Sequence, residues 1–229
     1  MLTEVDAFRQ AGNRDDARDA LLPLVRLAVE DAVAVSPHAG DVVAAVRLMV
    51  EEGVPWRADA FAVLLYVLDH ADVWHNLRKF ARTYQGEYDE SIAWEDAVFR
   101  ALAGFDLLVR NLIVDPDPET RSIACLLLGW ISTEPEADLA LLRMLGSLEP
   151  DDRVRACVGV SVVRLGGTTA EATAQLNDEA PVVRQRLARF LLPSRHSPDP
   201  TGVDPAVTAR ARVVLTEEPA NWRWLAEEI

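Results

Sequence analysis

Cysteine is nearly absent: two residues, Cys125 and Cys157, in a chain of 229. Each lies inside an apolar pattern of helical period, so both read as buried reduced thiols. Neither a disulfide framework nor a Cys-x-x-Cys metal or redox motif is expected. Basic residues are also scarce, 23 against 37 acids, for a formal charge of -14. A surface of that sign repels phosphate backbones, whose recognition depends on lysine and arginine. It favours a basic protein partner instead, because opposite net charges speed encounter. No apolar run approaches the ~18 residues that a membrane span needs. The opening MLTEVDAFRQ has no basic, greasy leader, so a soluble cytoplasmic protein is expected. Gly-x-Ser-x-Gly, the Walker loop and Gly-x-Gly-x-x-Gly are all missing. No run alternates apolar and polar residues as a half-buried strand would.

What the chain does contain is repetition. The stretch 115-DPDPETR-121 recurs as 149-EPDDRVR-155 and again as 178-DEAPVVR-184. With Arg121, Arg155 and Arg184 in register, the spacings are 34 and 29 residues, the length of a helical hairpin. The positions one before and three, seven and ten after each arginine read Thr120, Ala124, Leu128, Ile131; Val154, Val158, Val162, Leu165; and Val183, Leu187, Leu191, Ser194. Offsets of four, four and three follow one face of a helix, and that face is apolar almost throughout. A second apolar run precedes each turn, over 104–115, 135–148 and 169–178. The expected unit is a first helix, an acidic turn and a second helix.

Asp117 is placed to cap its helix, with Pro118 at the first helical position, where no N–H is lost. Asp115 and Asp151 belong to the same turns, and Arg121 is within reach of the acidic turn of its own or a neighbouring repeat. Gly166-Gly167 ends a second helix. Outside the repeats, 1–40 reads as N-terminal capping helices, with a helix over 14–35 bent near Pro23. Residues 41–70 read as a hairpin whose second helix begins at Pro55. Residues 195–229 read as a loop and a closing hairpin. The whole of 1–229 is taken as one domain, with three repeats over 97–194.

The segment 71–96 interrupts this order and reads as an irregular insertion. It gathers aromatics with three of the few bases, and insertions on one face of a repeat array are common sites of function. Trp74, His75, Arg78, Lys79, Arg82, Tyr84, Tyr88 and Trp94 are therefore the candidate partner-binding residues. A metal reading of His70 and His75 is disfavoured, because five residues place two imidazoles on different helix faces. His38 and His196 stand in proline-containing loops. Trp56, Trp74, Trp94 and Trp130 lie on or beside apolar stripes, where packing is the default. Trp222 and Trp224 cannot share a helix face, so one is expected to be exposed or to cover an end.

The DPDPETR turn, its echo EPDDRVR and the Ala/Leu-rich helices after them resemble HEAT and PBS-lyase-type HEAT-like repeats. The order Trp74-His75, 93-AWEDAV-98, Gly104, DPDPETR and Trp130 is similar to a group of uncharacterised bacterial HEAT-repeat proteins, over about residues 41–192. Ala180 departs from the pattern by replacing the capping aspartate. The resemblance implies an all-α, right-handed α-solenoid of about five or six HEAT-like hairpins, with the turn aspartates and arginines structural and no catalytic residue, metal or cofactor carried over.

The function expected is a non-catalytic scaffold that holds a protein through its concave face. An inhibitor or immunity protein for a basic toxin, or an adaptor, is its concrete form. Two alternatives come from the same resemblance. One is a HEAT-like DNA glycosylase or other nucleic-acid binder, with Trp74, Arg78, Lys79, Arg82 and Trp94 as its surface. The other is a subunit resembling the bilin lyases.

Overall fold

The computed structural model describes residues 2–30, 34–71, 89–193 and 202–217. Among these the chain forms twelve helices and is all-α apart from one ladder of two-residue strands. Internal packing divides the chain into two compact units, one ending at Leu108 and the next beginning at Val109. This division falls inside the segment read as three repeats.

The first unit begins with α1 (Leu2–Gln10) and α2 (Arg14–Ala28), continues through α3 (Ala39–Glu51) and α4 (Arg57–His70), and ends with α5 (Asp89–Ala101) and the first residues of α6 (Asp106–Leu112). Helix α4 is its centre. Eight successive residues, Ala58 to Leu65, are buried, together with Val67 and Leu68. A helix that is apolar on every side must be covered on every side. The one charge in that run is Asp59, 1% exposed, and α2 supplies its counterions: Arg14 Nε donates to Oδ2 and Arg18 Nε to Oδ1, both at 2.9 Å. Helix α3 packs against α4 and α5, with Gly40 directly over Ala97.

Three expectations change here. The helix over 14–35 stops at Ala28, since Val29–Glu30 (β1) pairs antiparallel with Ala34–Val35 (β2), Val29 opposite Val35. Pro55 does not open α4. Trp56, at the N-cap, takes a left-handed conformation (φ 62°) that separates the proline from the helix. Residues 89–96, placed in the irregular insertion, form the start of α5. Asp89 and Glu90 supply the acidic first turn, and Ile92, Glu95 and Val98 are buried at helical spacing.

The second unit begins within α6 and holds α7 (Pro118–Ile131), α8 (Pro135–Leu148), α9 (Asp152–Arg164), α10 (Thr169–Leu176), α11 (Pro181–Leu191) and α12 (Pro205–Glu217). The second helices of the repeats pack in sequence, α7 on α9, α9 on α11 and α11 on α12. Helices α8 and α10 each pack against the helix that follows them. Helix α7 buries eight consecutive residues, Ser122 to Gly129, and α9 seven, Ala156 to Val162, so these two form the core of the second unit. They approach closely where Gly129 meets Ser161, whose Oγ donates to the Cys125 carbonyl at 2.7 Å.

A methyl group at position 129 would stand 2.8 Å from Ser161 Oγ and 3.1 Å from its Cα. Helix propensity alone favours alanine over glycine by about 1 kcal/mol, whereas overpacking a core costs about 1–3 kcal/mol. Gly129→Ala is expected to lower the urea midpoint despite its better helix propensity. A raised midpoint would show that α7 and α9 are less tightly packed than described.

Candidate functional site

The charged residues picked out by the repeat assemble at the turns. Asp117 caps α7, its carboxylate accepting from the backbone N–H groups of Glu119 and Thr120 and from the Thr120 hydroxyl. Such a cap is worth about 1 kcal/mol. Two residues earlier, Asp115 accepts the N–H of Asp117 at 2.9 Å. Arg121 closes the turn by donating from Nη1 to the carbonyls of Asp115 and Pro116, at 2.8 and 3.1 Å. Its remaining edge reaches the next repeat, Nε and Nη2 donating to the two oxygens of Glu149 at 3.2 and 2.9 Å. That bidentate contact raises the Arg121 pKa further above its ordinary value.

Glu149 repeats the role of Asp115 while it receives Arg121. Its Oε1 accepts the N–H of Asp151, which in turn caps α9 through Arg153 and Val154. The pattern recurs one repeat on. Asp178 accepts the N–H of Ala180 at 2.8 Å and the Nη2 of Arg155 at 3.3 Å. Arg155 also pairs with Asp152, and Arg184 donates to the carbonyls of Asp178 and Glu179. Glu149 and Asp178 therefore each organise their own turn and anchor the arginine of the repeat before it. Glu149 and Asp178 were not among the motif residues read from sequence. Their signal was present, since an acid stands six residues before each of Arg121, Arg155 and Arg184.

A second set of ion pairs joins the first helices. Arg110 of α6 grips Asp138 of α8, 1% exposed, with Nε to Oδ1 at 2.6 Å, and Ser132 donates to the other oxygen. Arg143 of α8 grips Glu171 of α10 through Nε to Oε1 at 2.6 Å. Glu171 also completes a capping box with Thr168. The Arg143 hydrogen bond foremost, then those of Thr168, pull the Glu171 pKa from an ordinary 4.5 to about 2 against desolvation.

The candidate partner-binding residues Trp74, His75, Arg78, Lys79, Arg82, Tyr84 and Tyr88 lie outside the described residues, as do His196, Trp222 and Trp224. Trp94 falls on α5 and is half-buried. His38 is exposed just before α3, and His70 hydrogen-bonds through Nδ1 to the Tyr66 carbonyl while packing on the Tyr66 ring. No group of three His, Cys, Asp or Glu among the described residues is arranged to hold a metal, and no helix among them is long and apolar enough to cross a membrane. Trp130 is only half-buried, and its face carries the guanidinium of Arg164 rather than apolar core. That stack was not foreseen, because it needs the register of two helices.

The two thiols are fully buried. Burial pushes Cys157 up to about 12, against smaller opposing effects of Arg186 and a Ser122 hydrogen bond, and it pushes Cys125 well above its ordinary value. A thiol in that state is a poor nucleophile at neutral pH. Comparison with protein-family models, with curated proteins and with solved structures finds no match for this chain.

Two measurements follow. At pH 8, Cys125 and Cys157 are expected to resist a soluble disulfide reagent in the native protein and to react stoichiometrically in denaturant; rapid native labelling would contradict their burial. The depressed pKa of Glu171 means that its carboxylate stabilises the fold fully above about pH 4.5, with the contribution lost as pH falls toward about 2. The melting-temperature advantage of the wild type over Glu171→Gln should therefore shrink across that interval, and a gap that stays constant through it refutes the assignment.

Proposed function

We propose that this chain is a non-catalytic protein-binding scaffold, a right-handed α-solenoid of about five or six HEAT-like hairpins. One observation carries the reading: the turn acid that serves two repeats at once, at Glu149 and again at Asp178. Neighbouring repeats linked in this way favour an extended stack, and stacked repeats offer continuous recognition surfaces. The same geometry accounts for the most conspicuous charges without chemistry, since Asp117, Arg121, Asp151 and Arg155 are all spent on caps and clasps.

Charge distribution supports a basic partner for the first half. Residues 1–108 hold 19 acids against 10 bases, while residues 109–223 hold 16 against 13. The candidate residues around 71–96 interrupt this acid-rich half, which makes it the natural side for a basic inhibitor target or adaptor client. Full-length protein used as bait at low salt should recover a basic partner, and titration of the purified pair should give stoichiometric binding that weakens as salt screens it. Absence of any stoichiometric partner, or release of base from alkylated DNA well above background, overturns the scaffold reading.

A further inference from the structure

Helix α8 is apolar on two sides. Its inner side is fixed by Leu142, which is fully buried, and by Gly146, which lies against Val158 of α9. Along the other side run Ala137, Leu141, Met144 and Leu148, at steps of four, three and four that follow one helical face over about 16 Å. Ala137 is exposed and Leu141 half-buried, while Met144 and Leu148 are 57% and 75% exposed. A surface helix ordinarily turns polar residues to that side.

Repeat register extends the row into the preceding repeat. Val114 and Leu148 each stand directly before a turn acid, Asp115 and Glu149, and Arg121 ties those two turns together. Val114 is 69% exposed, so the two most exposed large apolar side chains among the described residues occupy equivalent places in adjacent repeats. Apolar residues exposed singly are ordinary, whereas a row of them marks a contact surface. The charge around it has one sign. Residues 109–152 hold nine acids and three bases, and each base is already held by a carboxylate: Arg110 by Asp138, Arg121 by Glu149 and Arg143 by Glu171. Glu134, 66% exposed, and Glu136, also exposed, stand at the start of the row.

We infer that the outer side of α8, continued by Val114, docks a basic amphipathic helix of a partner protein, its apolar side chains on Met144, Leu148 and Val114 and its lysines or arginines beside Glu134 and Glu136. A straight row four helical turns long matches the apolar face of another helix. Charge complementarity selects the basic one. A second copy of the chain would bring the same excess of acids to the contact, and a nucleic acid or an anionic membrane would bring its own negative charge to a surface whose bases are engaged. This surface belongs to the second unit, and its occupancy does not require a basic partner on the acid-rich residues 1–108.

The test is fluorescence anisotropy on the full-length protein with three labelled peptides about four helical turns long: an amphipathic lysine–leucine helix, its glutamate–leucine counterpart, and a lysine–leucine peptide of the same composition with its leucines scattered around the helix. The amphipathic lysine–leucine peptide should bind most tightly. The double variant Met144→Gln, Leu148→Gln should weaken it by about tenfold or more, with an unchanged melting temperature because both side chains already face solvent. Glu136→Lys should weaken it as well. Absence of binding by this peptide, tighter binding of the glutamate–leucine peptide or equal binding of the scattered one overturns the inference. Binding that is indifferent to the double variant also overturns it, and leaves the basic-partner reading of residues 1–108 standing while this one falls. A wild type that is dimeric by light scattering and becomes monomeric in the double variant overturns it too, since a second copy then covers the row.

Discussion

The contact between Arg121 and Glu149 sets the geometry of the second unit. One guanidinium holds the carbonyls of its own turn and the carboxylate of the next, so the distance and angle between successive turns are fixed by a planar group with five donors. The pair is shielded, Arg121 at 16% and Glu149 at 4% side-chain exposure, where such contacts are less screened than at an open surface. Once the turns are tied, α7 and α9 must align with nearly equivalent positions adjacent. Glycine then becomes necessary at 129, and Trp130 comes to lie beside Arg164.

The acidity of the chain looks different once the clasps are counted as structure. Asp115, Asp117, Glu149, Asp151 and Asp178 accept backbone N–H groups, and Asp138 and Glu171 accept arginines from the preceding first helix. These carboxylates complement helix N-termini, where negative charge is favourable. In the first unit Asp59 is likewise bound between Arg14 and Arg18. Removing either arginine would leave much of a buried charge uncompensated, a change that commonly costs about 3–5 kcal/mol when a buried pair is broken. A formal charge therefore overstates the freely acting charge in the second unit more than in the first.

Much of the helical content was legible because it rests on local rules. Period-3.6 apolar spacing located α7, α9 and α11, and the Asp-Pro pairs located the start of α7. What escaped depended on the partner of a residue rather than on its neighbours in sequence. The pairing of Val29 with Val35 is too short to show alternation, and the left-handed Trp56 has no local signature that would move a helix start away from Pro55. The Trp130–Arg164 stack needs a cross-helix register, which the Arg121–Glu149 contact and the Gly129–Ser161 approach fix between residues far apart in sequence. By contrast, the acid six residues before each arginine was plainly visible, and its meaning emerged only when one carboxylate was seen to serve two turns.

The third turn separates the essential part of this motif from the dispensable part. Ala180 cannot cap α11, yet its backbone (φ -77°, ψ 121°) matches those of Asp117 (φ -79°, ψ 117°) and Asp151 (φ -83°, ψ 121°). Pro181 opens the helix, Asp178 still accepts the Ala180 N–H, and Arg184 still closes the turn on its carbonyls. The cap can be lost because it satisfies donors at one helix end, whereas the acid six residues before the arginine fixes both a turn and its neighbour. Positions inside this clasp are committed to the turns and have little freedom to vary. Positions nine residues beyond each arginine are outside it, and there the repeats differ most tellingly, with tryptophan in one and arginine in the next. At such positions a side chain can change without releasing the turns.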